Sequence, residues 1–118
     1  MRVKVSLDFK DTYDSSSIMV MEDSKNWAKA CFELTDFNTH AVVSVVTKEE
    51  SDDANGCNIK NDFVWLQVCR VGQSFAFHYS IDGERFYMMR FFNLPAKKTM
   101  KVGLLAQAPT GNGGIRVY

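Results

Sequence analysis

The stretch FVWLQVCRVGQSFAFHYSIDGERFYMMRFF, from Phe63 to Phe92, determines the fold class of this chain. Apolar and polar residues alternate through much of it with a period of two, which is typical of half-buried β-strands. Turn-forming residues interrupt the alternation at Gly72 and at Asp82–Gly83. We therefore predict three consecutive strands, of which the last two form a hairpin around a tight turn at Asp82–Gly83.

The same period continues on both sides of this stretch. Further strands are predicted in VKVSLDF, SSIMVM, WAKACFEL, THAVVSVVTK, MKVGLLAQA and IRVY. The total is about nine strands with turn signals roughly every 8–12 residues, a pattern that favours an antiparallel sandwich or barrel. No helical periodicity, repeat or linker interrupts the pattern, so residues 1–118 are predicted to form one all-β domain.

The most polar segment is EESDDANGCNIKND, from Glu49 to Asp62. It has no apolar period, and its Asn55–Gly56 pair is a turn signal. We predict an exposed loop here, long enough to carry function.

Composition and charge exclude several classes of protein. The 118 residues are 46% hydrophobic and 24% charged, as in an ordinary globular protein. The formal net charge of zero argues against nucleic-acid binding, since such proteins carry a basic excess. No apolar run approaches the roughly 18 residues of a membrane span, and MRVKVSLDF lacks the apolar core of a signal peptide. A cytoplasmic protein with no membrane partner is the prediction.

Cysteine and histidine spacing predicts neither a disulfide nor a metal site. Cys31, Cys57 and Cys69 are odd in number, widely spaced and without a CxxC motif. The two histidines, His40 and His78, lie at no ligand spacing from each other or from a cysteine. Since phosphate-loop and dinucleotide motifs are also absent, we predict no cofactor.

Two carboxylates in the opening stretch, Asp82 and Glu84, could be the paired acids of a glycosidase. Such acids flank a cleft and need an environment that shifts the pKa of at least one of them. Here they flank Gly83 at a predicted turn, where nothing in the sequence would bury either one. The turn interpretation is therefore favoured, and no catalytic residue is assigned.

Aromatic and hydrogen-bonding side chains share parity on three predicted strands. Aromatic rings stack against the C–H faces of sugars, and polar neighbours bind the hydroxyls. In NWAKACFEL the alternation places a tryptophan on the same side of the strand as a lysine and a glutamate, and in FVWLQVC it places a tryptophan on the same side as a glutamine. In SFAFHYSI it points the histidine away from its aromatic neighbours. The predicted ligand-binding residues are Trp27, Lys29, Glu33, Trp65, Gln67 and His78.

Four motifs in the order found here resemble those of one family. They are YDSSSIMVMEDSKNWAKACFEL, VVSVVT, VWLQVCRVGQSFAFHYSIDGERFYMMR and MKVGLLAQAP. Together they resemble the domain-of-unknown-function family of concanavalin A-like sandwiches that includes the fungal "regulation of enolase" protein. The resemblance implies an antiparallel two-sheet jelly roll of the lectin and glucanase type. It also implies that the strands carrying the six candidate residues share one sheet with a concave face.

The chain departs from the family pattern at several positions. Ser17 stands where the family has glycine, Met21 where it has a basic residue, and Phe86 where it has tryptophan. The resemblance also implies that this chain lacks strands found at the N-terminus of other members. An uncovered sheet edge invites pairing, so a homodimer through that edge is an expectation.

Three functions are compatible with these features. The first, which we favour, is a non-catalytic binding module for a carbohydrate or similar polar ligand. The second is a glycoside hydrolase that uses Glu33 as one carboxylate. The third is an intracellular interaction domain that acts through exposed edges or the acidic segment Glu49–Asp62.

Overall fold

The computed structural model describes residues 1–95, 99–111 and 115–117. In these ranges the chain forms ten β-strands and no helix, so no described helix could cross a membrane. The strands are β1 (Arg2–Leu7), β2 (Ser15–Asp23), β3 (Asn26–Leu34), β4 (His40–Lys48), β5 (Glu50–Asn58), β6 (Phe63–Val71), β7 (Ser74–Ser80), β8 (Tyr87–Asn93), β9 (Lys101–Gln107) and β10 (Ile115–Val117).

The strands form two antiparallel sheets. The first sheet has the order β10-β1-β6-β7-β8, and the second has the order β5-β4-β3-β2-β9. The predicted all-β antiparallel sandwich is therefore confirmed. The additional strand relative to the predicted set is β5.

Alternating side chains from both sheets form the core between them. Phe77 of β7 is fully buried, and its ring centroid lies 5.0 Å from that of Phe92 on β8. Burying an apolar side chain of this size contributes about 1.5–3 kcal/mol to the stability of the fold. The inward residues of the two central strands β6 and β3 are Val64, Leu66, Val68, Ala28, Ala30 and Phe32.

Most of the segment predicted as an exposed loop is instead strand β5, which is a correction, while residues 59–62 connect it to β6. Every residue of β5 is exposed, but the backbone pairs with β4 along one side. The Asn55–Gly56 pair lies inside this strand, while the chain reverses at Glu49, which has φ 67°. A Cβ on Gly56 would lie 2.7 Å from the carbonyl oxygen of Val42, beside a register shift in the β4–β5 ladder. Glycine is therefore required by this close approach and not by a turn.

The hairpin of β7 and β8 is confirmed, but its predicted tight turn is wrong. Residues 81–86 form a longer connection, which the carboxylate of Asp82 organises. Its Oδ1 accepts hydrogen bonds from the backbone N–H groups of Glu84 and Arg85, each at 2.9 Å, and from the Ser80 hydroxyl at 2.9 Å. These bonds, the backbone ones foremost, lower the pKa of Asp82 to about 2. Asp82 is thus an ionised structural group.

This connection folds over the outer face of the first sheet. Gly83, with φ 79°, lies so close to Trp65 of β6 that a Cβ would approach Cε2 of the indole to 2.9 Å. On β1, the ammonium of Lys4 lies 4.9 Å from the Trp65 ring centroid. Trp65 is therefore packed between the connection and its own sheet.

We predict that Gly83→Ala destabilises the protein more than Gly72→Ala. Both glycines have positive φ, but nothing lies within 4 Å of a Cβ placed on Gly72. The Gly72 variant should lose about 1–2 kcal/mol from backbone strain alone. The Gly83 variant should lose about 2–4 kcal/mol, because the new methyl group also displaces Trp65. Urea unfolding followed by tryptophan fluorescence measures both losses, and equal losses would contradict the close packing.

Candidate functional site

Three of the predicted ligand-binding residues lie together on the outer surface of the second sheet. Because Ala28, Ala30 and Phe32 of β3 enter the core, the residues between them point outward. Trp27, Lys29 and Glu33 are half-buried there. We call this surface the β3 face: the outward residues of β3 and their cross-strand neighbours on β2, β4 and β9.

Small buried side chains separate the longer ones on the β3 face. Cys31 has Ser17 of β2 and Val43 of β4 as its cross-strand partners, and Glu33 has Ser15 and Ala41. All five of these smaller side chains are buried although they lie outside the main core cluster between the sheets, and Cys31, Ala41 and Val43 form a small cluster of their own. We call these five small buried residues the floor of the β3 face, which Lys29 and Glu33 flank.

One polar atom of this floor lacks a well-formed partner. The hydroxyl of Ser17 is fully buried and makes no hydrogen bond of good geometry among the described residues. It interacts with the thiol of Cys31. Burial raises the pKa of this thiol to about 11, and the opposing effects of Lys29 and Ser17 on the pKa are smaller. Cys31 is therefore protonated at neutral pH, and the floor is uncharged.

Charges above the floor are concentrated at Lys29 and Glu33. Burial raises the pKa of Glu33 to about 7, while Lys29 opposes the shift and Asp53 and Asp36 add to it. The ammonium of Lys29 donates a hydrogen bond to Oε1 of Gln107 on β9 at 2.6 Å. The same ammonium lies 6.0 Å from the centroid of the Trp27 ring. Near neutral pH Glu33 can therefore exchange a proton beside a fixed cation.

The other three predicted residues lie on the opposite side of the molecule. Trp65 and Gln67 are on β6 and His78 is on β7, and both strands belong to the first sheet. The expectation that all six residues share one sheet is therefore wrong. Parity along a strand decides whether a side chain points inward or outward, but it does not decide to which sheet the strand belongs.

Two of the three residues on the first sheet, Gln67 and Trp65, are engaged with other parts of the protein. Oε1 of Gln67 accepts hydrogen bonds from Nε and Nη2 of Arg2, at 2.9 and 2.7 Å. Trp65 is covered by Gly83 of the 81–86 connection. His78 is the cross-strand partner of Gln67, and its buried Nδ1 has no hydrogen-bond partner among the described residues. A ligand role for these three residues stays a prediction.

Sequence reasoning missed several residues of the β3 face. Gln107 reaches it because β9 pairs with β2 across a long stretch of chain, with Ser15 opposite Gln107. Asp53 acts on Glu33 from β5, the segment predicted as a loop. No local pattern in the sequence reveals such pairings. Among the described residues, no group of three or more His, Cys, Asp or Glu side chains could hold a metal ion.

We predict that Glu33→Gln reduces the pH dependence of stability between pH 4.5 and 7. The folded state holds the Glu33 proton more tightly than the unfolded chain, because its pKa rises from 4.5 to about 7. The free energy of unfolding should therefore fall as pH increases through this interval and level off above it. For a half-buried group we expect a loss of about 1–2 kcal/mol, reduced by solvent screening.

Urea unfolding at several pH values measures this slope. Glu84→Gln, at an exposed carboxylate in the 81–86 connection, is the matched control. The Glu33 variant should have a flatter profile than both the wild type and the control. Identical profiles for the three proteins would contradict the raised pKa.

Comparison with known proteins agrees with the motifs and the fold. The model of the family described as "Protein of unknown function (DUF1349)" matches residues 1–118. The chain therefore belongs to this family, which confirms the resemblance to a domain-of-unknown-function family. No curated protein matches the chain.

Solved structures share the fold of this chain. A functionally unknown protein from Saccharomyces cerevisiae superposes with a TM-score of 0.89 at 28% identity, over 98% of this chain and 62% of that one. The GH43 BlXynB protein from Bacillus licheniformis superposes with a TM-score of 0.82 at 13% identity, over 97% of this chain and 25% of that one. A mutant of that protein superposes with a TM-score of 0.81 at 14% identity. This chain thus spans less than two thirds of each of these proteins.

Proposed function

We propose that this DUF1349 protein is a non-catalytic binding module that holds a carbohydrate or similar polar ligand on the β3 face. The observation that carries the proposal is the half-buried row of Trp27, Lys29 and Glu33 above a floor of small buried residues. An aromatic ring, a cation and an ionisable carboxyl along one strand supply both a surface for a sugar ring and partners for its hydroxyls.

The arrangement supports binding in a second way. These side chains rise from a strand at the centre of its sheet, paired with β2 on one side and β4 on the other. Sites on central strands are held more precisely than sites on loops. Lys29 is further fixed by its hydrogen bond to Gln107, so part of the ordering cost of binding is already met.

We predict that Trp27→Ala weakens any glycan binding about tenfold or more, because it removes the aromatic surface. Glu33→Gln and Lys29→Met should weaken binding by removing hydrogen-bonding groups. Calorimetric titration with the oligosaccharides that respond in a glycan screen measures these effects.

Phe91→Ala is the matched control, because Phe91 is an exposed aromatic residue of β8 on the other sheet and is not among the predicted ligand-binding residues. It should leave the dissociation constant unchanged. The proposal fails if the screen gives no binding, or if the Phe91 variant weakens binding as much as the Trp27 variant.

One observation favours glycoside hydrolysis as a second candidate function. A pKa of about 7 at Glu33 is suited to a general acid at neutral pH. Two carboxylates, Asp36 and Asp53, lie near enough to Glu33 to raise its pKa, but both are exposed, and the cross-strand partners of Glu33 are Ser15 and Ala41. Binding is therefore the better-supported function.

Measuring the hydrolysis of aryl glycosides distinguishes a hydrolase from a binding module. A hydrolase should release nitrophenol from an aryl glycoside, and Glu33→Gln should abolish the release. A binding module should release none from any member of an aryl glycoside panel, while the Trp27 variant still affects binding. Release that persists in the Glu33 variant would count against this carboxyl as the acid.

A further inference from the structure

A second concave region lies at the side of the sandwich where the edge strands β5 and β8 come together. Its volume is about 400 Å³, within the usual range for small-molecule sites of roughly 300–1,000 Å³. Its lining comes from the end of β5, the connection to β6, the end of β7 and the start of β8. The lining residues are Cys57, Asn58, Ile59, Lys60, Asn61, Tyr79, Ile81 and Tyr87.

Hydrogen bonds near this cavity join the two sheets and anchor the connection after β5. Arg90 of β8 donates from Nη1 to the Asp52 carbonyl of β5 at 3.1 Å and to the Ser44 hydroxyl of β4 at 3.4 Å. The backbone N–H of Ile59 donates to the carbonyl of His40 at 2.7 Å. The walls therefore belong to paired strands and anchored backbone, which gives the cavity a defined shape.

Two tyrosine rings form the aromatic part of the lining. The rings of Tyr79 and Tyr87 are 5.7 Å apart between centroids and tilted by 34°. Tyr87 is 46% exposed and Ile81 is 50% exposed, although both are large apolar side chains. An exposed ring beside an exposed aliphatic side chain at a cavity provides the flat apolar surface on which a sugar ring stacks.

Hydrogen-bonding groups surround these rings. Asn58 and Asn61 each carry an amide that can both donate and accept, and Lys60 is the one cationic side chain in the lining. A hydrogen bond with the thiol of Cys57, together with burial, raises the pKa of Tyr79 to about 12, so this phenol keeps its proton. Apart from Lys60 the polar groups of the lining are uncharged, and beside apolar rings such donors and acceptors match neutral hydroxyls better than they match a metal ion.

The cavity adjoins another concave region of the surface. A neighbouring concave region of about 310 Å³ shares Ile81 and Tyr87 and is otherwise lined by Asp82, Glu84 and Arg85. Ile81 and Tyr87 therefore form a ridge between the two regions, and a ligand longer than one sugar ring could contact both.

We propose that the cavity between β5 and β8 is a second ligand site, which binds a short oligosaccharide stacked on Tyr87. One or two sugar rings occupy the region beside Tyr79 and the two asparagines, and further rings extend over the ridge toward Arg85. This site is separate from the β3 face and does not depend on binding there, because none of its lining residues belongs to that face.

The cysteines offer a direct test, because Cys57 is exposed and lines the cavity. Cys69 is exposed on β6 outside this lining, and Cys31 is buried. The folded protein is alkylated with iodoacetamide in the presence of cellotriose, xylotriose or maltotriose, and the rate at each cysteine is read by peptide mass spectrometry. A probe at ten times its dissociation constant should slow alkylation of Cys57 about tenfold. The rate at Cys69 should not change.

Variants on one strand provide the control. Tyr87→Ala should abolish the protection of Cys57, and Tyr87→Phe should retain it, because the ring face remains. Phe91→Ala is the matched control, since Phe91 lies on β8, is 62% exposed and is absent from the cavity lining. Protection should also increase from the disaccharide to the trisaccharide of each series if the ligand crosses the ridge.

Several results would overturn the proposal. These are the absence of protection by every probe, equal protection of Cys57 and Cys69, or protection that survives Tyr87→Ala. Protection by an apolar peptide but by no oligosaccharide would also overturn it. Trp27→Ala separates the two sites: loss of binding at the β3 face should leave protection of Cys57 intact.

Discussion

The burial of alternating apolar side chains between the two sheets is the constraint on which the rest of the structure depends. Phe32 from the second sheet and Leu66 and Phe77 from the first are all fully buried in one core cluster. Because side chains alternate along a strand, each inward residue fixes its neighbours outward. The row of Trp27, Lys29 and Glu33 is thus positioned by the same packing that stabilises the fold.

The outer surfaces of the two sheets are used differently. On the first sheet the 81–86 connection and side chains of β1 cover the surface, so that Trp65 meets Gly83 and Gln67 holds Arg2. On the second sheet the small residues between Lys29 and Glu33 leave a low floor. The difference comes from side-chain size on the second sheet and from where one connection folds on the first.

The edges of the sandwich add a separate feature. Strands β5 and β8 are at the ends of their sheets, on the same side of the sandwich, and Arg90 connects them. Such edges are open to pairing with another chain, so a homodimer through an edge stays a prediction. The same geometry creates the cavity beside Tyr87, because two edge strands that do not pair with each other leave space between their sheets.

Much of the fold follows from the sequence by itself. The period of two from Phe63 to Phe92, the hairpin of β7 and β8, and the outward direction of Trp27 and Glu33 are local properties, since the alternation of side chains operates within a single strand. The period of two did not predict β5, because an edge strand with no buried face has no alternation of apolar and polar residues.

Only the tertiary structure decided which outward residues come together. Strand pairing joins segments far apart in the chain, as when β9 brings Gln107 beside Lys29, and parity contains no information about such partners. The raised pKa of Glu33 has the same origin, because burial by surrounding side chains and the charge of Asp53 on β5 depend on the assembled sheet. The sequence therefore determined the directions of the side chains, and long-range pairing and burial determined their neighbours and their chemistry.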